Sequence, residues 1–257
     1  MFSYYSKLSS EVYDLDKYIG RSFGDVEFYS GKLASCTGTI LEPGVGTGRM
    51  LIPLLEKGLR VEGFDVSEDM LKICRRNCET RGLNPDLFQD HMESFLSDKK
   101  YEAIIVPTGT FLLLHRREDS IKALKNFYYH LAEGGKLVLD LSLQTDLSME
   151  NISTRTWELG DGEMITLETK KVEVDYINQY TMSHHRYEKW DNGKLVQTEL
   201  EQFPLRWYGV EEFKLILEQL GFQDIVISAD YEYGVYPTEE SQMITYEAVV
   251  NKECNPV

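Results

Sequence analysis

Three glycines and three carboxylates are spaced so that they could hold a small, partly cationic ligand. In ILEPGVGTGRM (residues 40–50), Gly44, Gly46 and Gly48 follow an apolar run at alternate positions, and Glu42 stands at the junction. A glycine-rich turn between a strand and a helix offers backbone N–H groups and lets a ligand approach closely. The dinucleotide fingerprint G-x-G-x-x-G would place a third glycine where Arg49 stands. A carboxylate at the strand end opposes a pyrophosphate and favours an ammonium or sulfonium group, so Glu42 points to a ligand that is partly cationic. Asp65 in VEGFDVSEDM, 21 residues after Gly44, can accept from both hydroxyls of a ribose, or else help to cap the next helix. Asp90 in FQDHMESF is placed to accept from an adenine amino group beside Met92, and taken alone is a solvated turn acid.

Other residues carry weaker chemistry. Adjacent His184 and His185 fall in an expected strand and point to opposite faces, so at most one sees any one pocket. Trp207 and Tyr208 could be pocket aromatics or could start the following helix. Cys74 and Cys78 share a helix face with Met70 and Leu71 and read as small core residues rather than metal ligands. No metal-ligand spacing and no nucleophile triad is visible, so the expected metal set is none.

The elements that must position these residues alternate from Thr39 to Leu141. TILE, RVEGFDV, DLFQD, YEAIIVP and KLVLDLS read as strands, and GRMLIPLLEKG, EDMLKICRRNCETRG and EDSIKALKNFYYHLAE as helices. Ser67 is placed to cap the second helix, with acids in its first turn. Such strand–helix units with continuous apolar strands imply a parallel sheet covered on both faces. Upstream, Tyr5, Leu8, Val12, Leu15 and Ile19 make one stripe of an amphipathic helix, and DVEFYSGKLA reads as a second. Residues 151–204 change character: KVEVDY alternates strictly, and Asp161-Gly162 and Asn192-Gly193 signal hairpins. The α/β pattern then resumes with GVEEFKLILEQLG, FQDIVIS and MITYEAVV. A chain of 257 residues has core enough for one domain, here with a β insertion.

A net charge of −16 argues against a nucleic-acid partner, whose phosphates would be repelled. No apolar run approaches the roughly 20 residues needed to span a bilayer. The opening MFSYYSKLSSEVYD lacks the pattern of a signal peptide, and four scattered cysteines make no disulfide scaffold. The expected setting is the cytoplasm, with no membrane and no nucleic acid as partner.

Taken as a set, LEPGVGTGRM, VEGFDVSEDML, FQDHMESF, YEAIIVPTGTFLLL and LAEGGKLVLDL resemble the class I S-adenosylmethionine-dependent methyltransferases, densely from Thr39 to Leu141. The resemblance implies an α/β, Rossmann-like seven-stranded sheet of order 3-2-1-4-5-7-6, its last strand antiparallel, with an antiparallel β insertion after strand 5. It implies a single domain over 1–257 with an N-terminal helical lid (1–36) and the insertion at 151–204. S-adenosylmethionine is the implied cofactor, contacted by Glu42, Gly44, Gly46, Asp65, Val66, Met70, Asp90, His91, Met92 and Pro107.

EVYDLDKYI resembles the segment by which small-molecule members fold helices over the cofactor. It nominates Tyr13 as a catalytic candidate beside His184, although Tyr4, Tyr5, Tyr13 and Tyr18 could equally dock a helix. The insertion resembles that of aminosugar N-methyltransferases and their relatives, and implies an acceptor wall and a homodimer contact. Where those enzymes carry a histidine after the fourth strand, this chain has Leu113, with His115 two residues later. The expected activity is methyl transfer to N or O of a small molecule. The alternative is an inactive S-adenosylmethionine-binding regulatory protein, and a nicotinamide dehydrogenase is more distant. A closed polar pocket under the insertion favours the enzyme, and one blocked by side chains favours the alternative.

Overall fold

Strands that are apolar on both sides need cover on both sides, and such strands form the centre of this structure. The computed structural model describes residues 5–149 and 152–252. Residues 1–4 of the expected lid, Asn151 at the expected start of the insertion, and Cys254 lie outside them. Strands β1 (Thr39–Pro43) and β2 (Arg60–Asp65) pair in parallel, with β3 (Leu87–Gln89) beyond β2 and β4 (Tyr101–Val106) on the other side of β1. β5 (Leu131–Ser142) runs parallel to β4.

The chain then leaves this sheet for β6 (Ile152–Gly160), β7 (Glu163–Asp175), β8 (Tyr180–Asp191) and β9 (Lys194–Arg206), which form a separate antiparallel sheet. It returns as β10 (Phe222–Ala229) and β11 (Met243–Val250), with β11 antiparallel to β5 and β10 at the edge. The seven-stranded order is therefore 3-2-1-4-5-11-10. This is the expected 3-2-1-4-5-7-6 once the four inserted strands are counted.

Six α-helices accompany the strands in the described residues: α1 (Lys7–Asp16), α2 (Asp25–Leu33), α3 (Leu51–Glu56), α4 (Glu68–Glu79), α5 (Arg117–His130) and α6 (Val210–Gln219). Alternate strand residues feed the two faces. Ile40, Ala103, Ile105 and Val138 bury against Tyr29, Leu33, Leu51 and Leu71 of α2, α3 and α4. Leu41, Ile104, Val106 and Leu139 bury against Phe127, Phe213 and Leu217 of α5 and α6. Cys74 and Cys78 are part of the first core, as free thiols. At the start of α4 the Ser67 hydroxyl accepts from Met70 N–H at 3.2 Å, as its cap position predicts. None of the described helices is long and apolar enough to cross a membrane.

Three local expectations change. α3 starts at Leu51 rather than Gly48, because Gly44, Gly46 and Gly48 all take left-handed φ (73°, 58° and 92°), which a helix cannot continue through. α1 stops at Asp16, so Leu15 is exposed and Ile19 packs separately against the α2–α3 side. In β7 a register shift between Lys171 and Glu173 breaks the expected alternation, and Tyr176 falls in the exposed turn that follows. Both expected hairpin turns form, with Asp161-Gly162 and Asn192-Gly193 at positive φ throughout. The inserted sheet seats on α1, where Leu8 and Val12 bury against Ile165, Leu167 and Tyr187.

Gly63 of β2 marks the tightest contact between this sheet and the glycine loop. A Cβ there would lie 2.9 Å from Val45. Gly63→Ala is expected to destabilise by about 1–3 kcal/mol through overpacking. Gly31→Ala on α2, where nothing lies within 4 Å, is expected to be neutral or to stabilise by up to about 1 kcal/mol. Urea unfolding of both variants checks the pair, and equal midpoints would contradict the close approach.

Candidate functional site

In open α/β sheets ligands bind beyond the carboxyl ends of the strands, and the residues singled out above converge there. Glu42 ends β1 almost fully buried, and its Oε2 has no hydrogen-bond partner among the described residues. Burial pushes its carboxyl well above the usual range; Arg49 opposes this, and the charge of Asp65 adds to it. A buried acceptor without a donor is costly until one arrives. The site therefore fits a ligand that brings a cationic donor.

Close approach is built in beside it. A Cβ on Gly44 would meet Thr110 Cγ2 at 2.5 Å and Met92 Cε at 3.1 Å, and one on Gly46 would touch the Tyr13 ring at 3.5 Å. Asp65 ends β2 and fastens this loop. Its Oδ2 accepts from Gly46 N–H and its Oδ1 from Ser67 N–H, both at 2.9 Å. Burial still raises its carboxyl, although these donors and Val66 N–H pull it down. A carboxylate can accept about four hydrogen bonds, so capacity remains for a ligand. Capping and ligand contact, posed as alternatives from sequence, are compatible here.

Arg49 is buried in an ion pair with Asp25 and donates to Arg21 O at 3.1 Å, and its charge acts on both Glu42 and Tyr13. Burial raises the Asp25 carboxyl, but the bond and charge of Arg49 outweigh it and hold it below the usual range.

A cavity of about 190 Å³ opens between α1, the loop after β4 and the end of β9, with Tyr5, Tyr13, Lys17, Thr108, Thr110, Leu113, Ser142 and Phe203 on its wall. Tyr5 sets its ring edge-on to both Tyr13 and Phe203, with centroids at 5.8 and 6.2 Å. Its carbonyl accepts from Ser67 Oγ at 2.6 Å, so the entering chain is tied to the cap of α4. Burial pushes the Tyr13 phenol up to about 12, which keeps it protonated. A larger hollow of about 360 Å³, beside Lys99, Glu62 and Tyr101, involves none of these residues.

The other nominated residues divide. Met92 sits beside Gly44, and Asp90 N–H donates to Asp65 O at 3.2 Å while its carboxylate takes His91 N–H. Val66 is partly exposed next to Asp65, and Met70 is buried beneath. The His91 ring turns outward near Glu93. Pro107 is buried, and its carbonyl is taken by Thr110 Oγ1 at 3.0 Å.

His184 requires a correction. Residues opposite one another share a sheet face, and the pairs His185↔Glu201 and Ser183↔Phe203 put His185 on the cavity side. His185 stacks on Phe203 at 4.6 Å, and burial lowers its imidazole to about 4, so it is neutral near pH 7. His184 belongs to the opposite face. Leu113, not His115, lines the cavity; His115 packs against Tyr180 instead. Neither Trp207, which packs on Tyr176, nor Tyr208, which donates to Ser120 Oγ at 2.8 Å, reaches the wall. Among the described residues no group of three or more metal-ligating side chains gathers.

Sequence reasoning missed Lys17, Thr108, Ser142, Phe203 and Asp140. Only the position of Thr108 and Asp140 at strand ends could have pointed to them.

Known proteins bear on this geometry. Residues 40–135 match a family model described as a methyltransferase domain. The YqeM protein of Bacillus subtilis (strain 168) is 26% identical over 217 residues, which cover 84% of this chain and 85% of that one. A glycine/sarcosine N-methyltransferase of Parasynechococcus marenigrum (strain WH8102) is 28% identical over 196 residues, 76% of this chain and 66% of that one. The X-ray structure of the sugar N-methyltransferase KedS8 from Streptoalloteichus superposes with a TM-score of 0.74 at 20% identity, over 98% of both chains. At that identity the likeness is one of fold.

The loop after β4 takes its shape from Asp140, at the end of β5. This buried carboxylate accepts from Thr108 N–H at 2.8 Å, Thr245 Oγ1 at 2.7 Å and Tyr231 Oη at 3.0 Å, and so holds Thr108 at φ 55°. Burial outweighs these donors and raises the carboxyl to about 6. An acid whose folded value lies above its unfolded value near 3.9 binds its proton more tightly when folded. Its stabilisation is full below about pH 4 and is lost as pH rises through about 6. Relative to non-titrating Asp140→Asn, the wild type is expected to lose about 3 kcal/mol between pH 4 and 7. Urea unfolding across that range reads the difference, and parallel pH curves would refute it.

Proposed function

We propose that this chain is a class I S-adenosylmethionine-dependent methyltransferase, as its matched segment supports, and that it methylates a nitrogen or oxygen atom of a small acceptor held under the insertion. The unpaired buried oxygen of Glu42 beside the glycine loop carries this conclusion, because it suits the ammonium of an amino-acid end and opposes a dinucleotide pyrophosphate. S-adenosylmethionine supplies a methyl group on a positively charged sulfur. Glu42 and Gly44 would receive its methionyl end, with Gly46 and Pro107 alongside. Asp65, Val66 and Met70 would take the ribose and adenine, and Asp90, His91 and Met92 the adenine.

The chain's own contribution is orientation and the exclusion of water. An in-line displacement by an already nucleophilic atom needs little proton chemistry, and orientation alone supplies roughly 7–11 kcal/mol. Tyr5, Tyr13 and Phe203 form an aromatic wall, while Thr108, Thr110 and Ser142 bring polar groups to the same space. Tyr13 acts here as a neutral phenol that positions the acceptor. A cavity that is polar in part and not filled by side chains supports an enzyme over a regulatory protein with a blocked pocket. The N-methyltransferase names of two relatives support nitrogen. A cytoplasmic setting is supported by the free thiols of Cys36, Cys74 and Cys78, and pairing of two copies through the insertion by exposed Leu195 and Val196 on edge strand β9.

S-adenosylhomocysteine is expected to raise the melting temperature, with about 2.7 kcal/mol of stabilisation at 100 times Kd, and NAD is not. A response to NAD alone would overturn the assignment; release of S-adenosylhomocysteine across amines, phenols and acids would identify the acceptor.

Asp65→Ala is expected to weaken binding by about 2–4 kcal/mol, roughly 30- to 1000-fold, with Asp65→Asn in between. Thermal stability should fall in parallel, because Gly46 and Ser67 lose their acceptor. Calorimetric titration that finds unchanged affinity in a less stable protein would remove Asp65 from the ligand site.

A further inference from the structure

The inserted sheet grips α1 at both ends. At the N-terminus, where a helix leaves backbone donors unpaired, the Ser6 side chain makes no cap of its own. Two carboxylates from β9 do so instead. Ser6 N–H donates to Glu201 at 2.7 Å, and Leu8 N–H to Glu199 at 2.8 Å. Ser6 Oγ lies between the two acids and shares its one proton between them, and Ser9 Oγ donates to Glu201 at 2.6 Å. At the other end Asp16 accepts from Trp157 Nε1 at 2.8 Å and Arg155 Nη2 at 2.7 Å.

Glu199 and Glu201 are two apart on one strand, so their charges share a face and repel. Glu201 is almost fully buried. Glu201 takes its donors from the positive end and hydroxyls of α1, while Glu199 accepts from Leu8 N–H and also from Gln197 Nε2 at 2.6 Å. Lifting α1 away would strand Glu201. On its other side α1 presses Tyr13 onto Gly46 and sets Asp14 against Asn77 Nδ2 of α4 at 2.8 Å.

We propose that Glu199 and Glu201 are positioning residues for the cofactor site: by capping α1 they hold Tyr5 and Tyr13 over the glycine loop. This rests on the glycine loop being the S-adenosylmethionine site. The insertion is then part of cofactor binding as well as of the acceptor wall, and it couples α1 to the glycine loop.

The test uses the full chain and needs no acceptor. Backbone hydrogen exchange of the ligand-free protein is followed in α1 and, as an internal reference, in β4 and β5, and the Kd for S-adenosylhomocysteine is measured by calorimetry. Glu199→Ala/Glu201→Ala is expected to lower α1 protection and raise Kd, each at least tenfold, with β4 and β5 unchanged. Glu199→Gln/Glu201→Gln, which keeps acceptors, is expected to recover most of both; it replaces the alanine pair should that fail to fold. Intact α1 protection overturns the clamp. Loss of α1 protection at constant Kd overturns the positioning role, as does an equal loss in β4 and β5. A wild type that binds no S-adenosylhomocysteine overturns the function instead, while exchange in α1 still decides the clamp.

Discussion

One buried carboxylate joins the parts of this site. Asp65 closes β2, yet its two oxygens reach the glycine loop after β1 and the first turn region of α4. Two backbone segments that are separate in sequence, the glycine loop and the β2–α4 turn, thus share an anchor. It fixes Gly46 in a loop whose three glycines take left-handed φ, and Gly44 N–H and Val45 N–H add to the hold by donating to Phe64 O at 2.8 and 3.0 Å. The tie of Ser67 Oγ to Tyr5 O extends the same anchor to the chain's N-terminal segment.

Charge in the cleft is arranged around this fixed point. Glu42 and Asp65 are both buried and both hold their protons more tightly than usual. The buried guanidinium of Arg49 opposes the proton uptake of Glu42 but is itself engaged with Asp25. A buried pair of this kind adds little net stability by itself, because desolvation offsets the attraction. Its effect is to leave the two acids electrostatically incomplete on the ligand side. A cationic ligand completes them, and the large negative net charge of the chain favours its approach at low salt.

The glycine loop and the turn after β2 were legible in the sequence because their determinants are local. Gly44, Gly46, Asp65 and Ser67 lie at the ends of strands whose identity follows from apolar runs, so a strand assignment also places them in space. The sheet order was legible through the resemblance alone. The cavity wall was not, because it brings Tyr5 together with Phe203 and Lys17 with Ser142, neighbours that only the assembled chain creates. The histidine pair shows the limit most sharply. Adjacent strand residues face opposite ways, and register decided for His185 where His184 had been nominated. Likewise the clamp on α1 joins Ser6 to Glu201, and no periodicity links residues that far apart.

The position of β11 has a consequence for how the chain assembles. β5 finds its outer neighbour only through pairs such as Val138↔Glu247, more than a hundred residues away. During synthesis the apolar edge of β5 must therefore wait, unpaired, while the whole of β6 to β9 emerges. Those four strands are joined by tight hairpins and can pair with their immediate neighbours as they appear. Long-range pairing is slow relative to such local closure, and open strand edges invite association with other chains. The nascent protein thus passes through a stage in which the accessory sheet is formed and the central one is open, and the residues of β10 and β11 finish the fold.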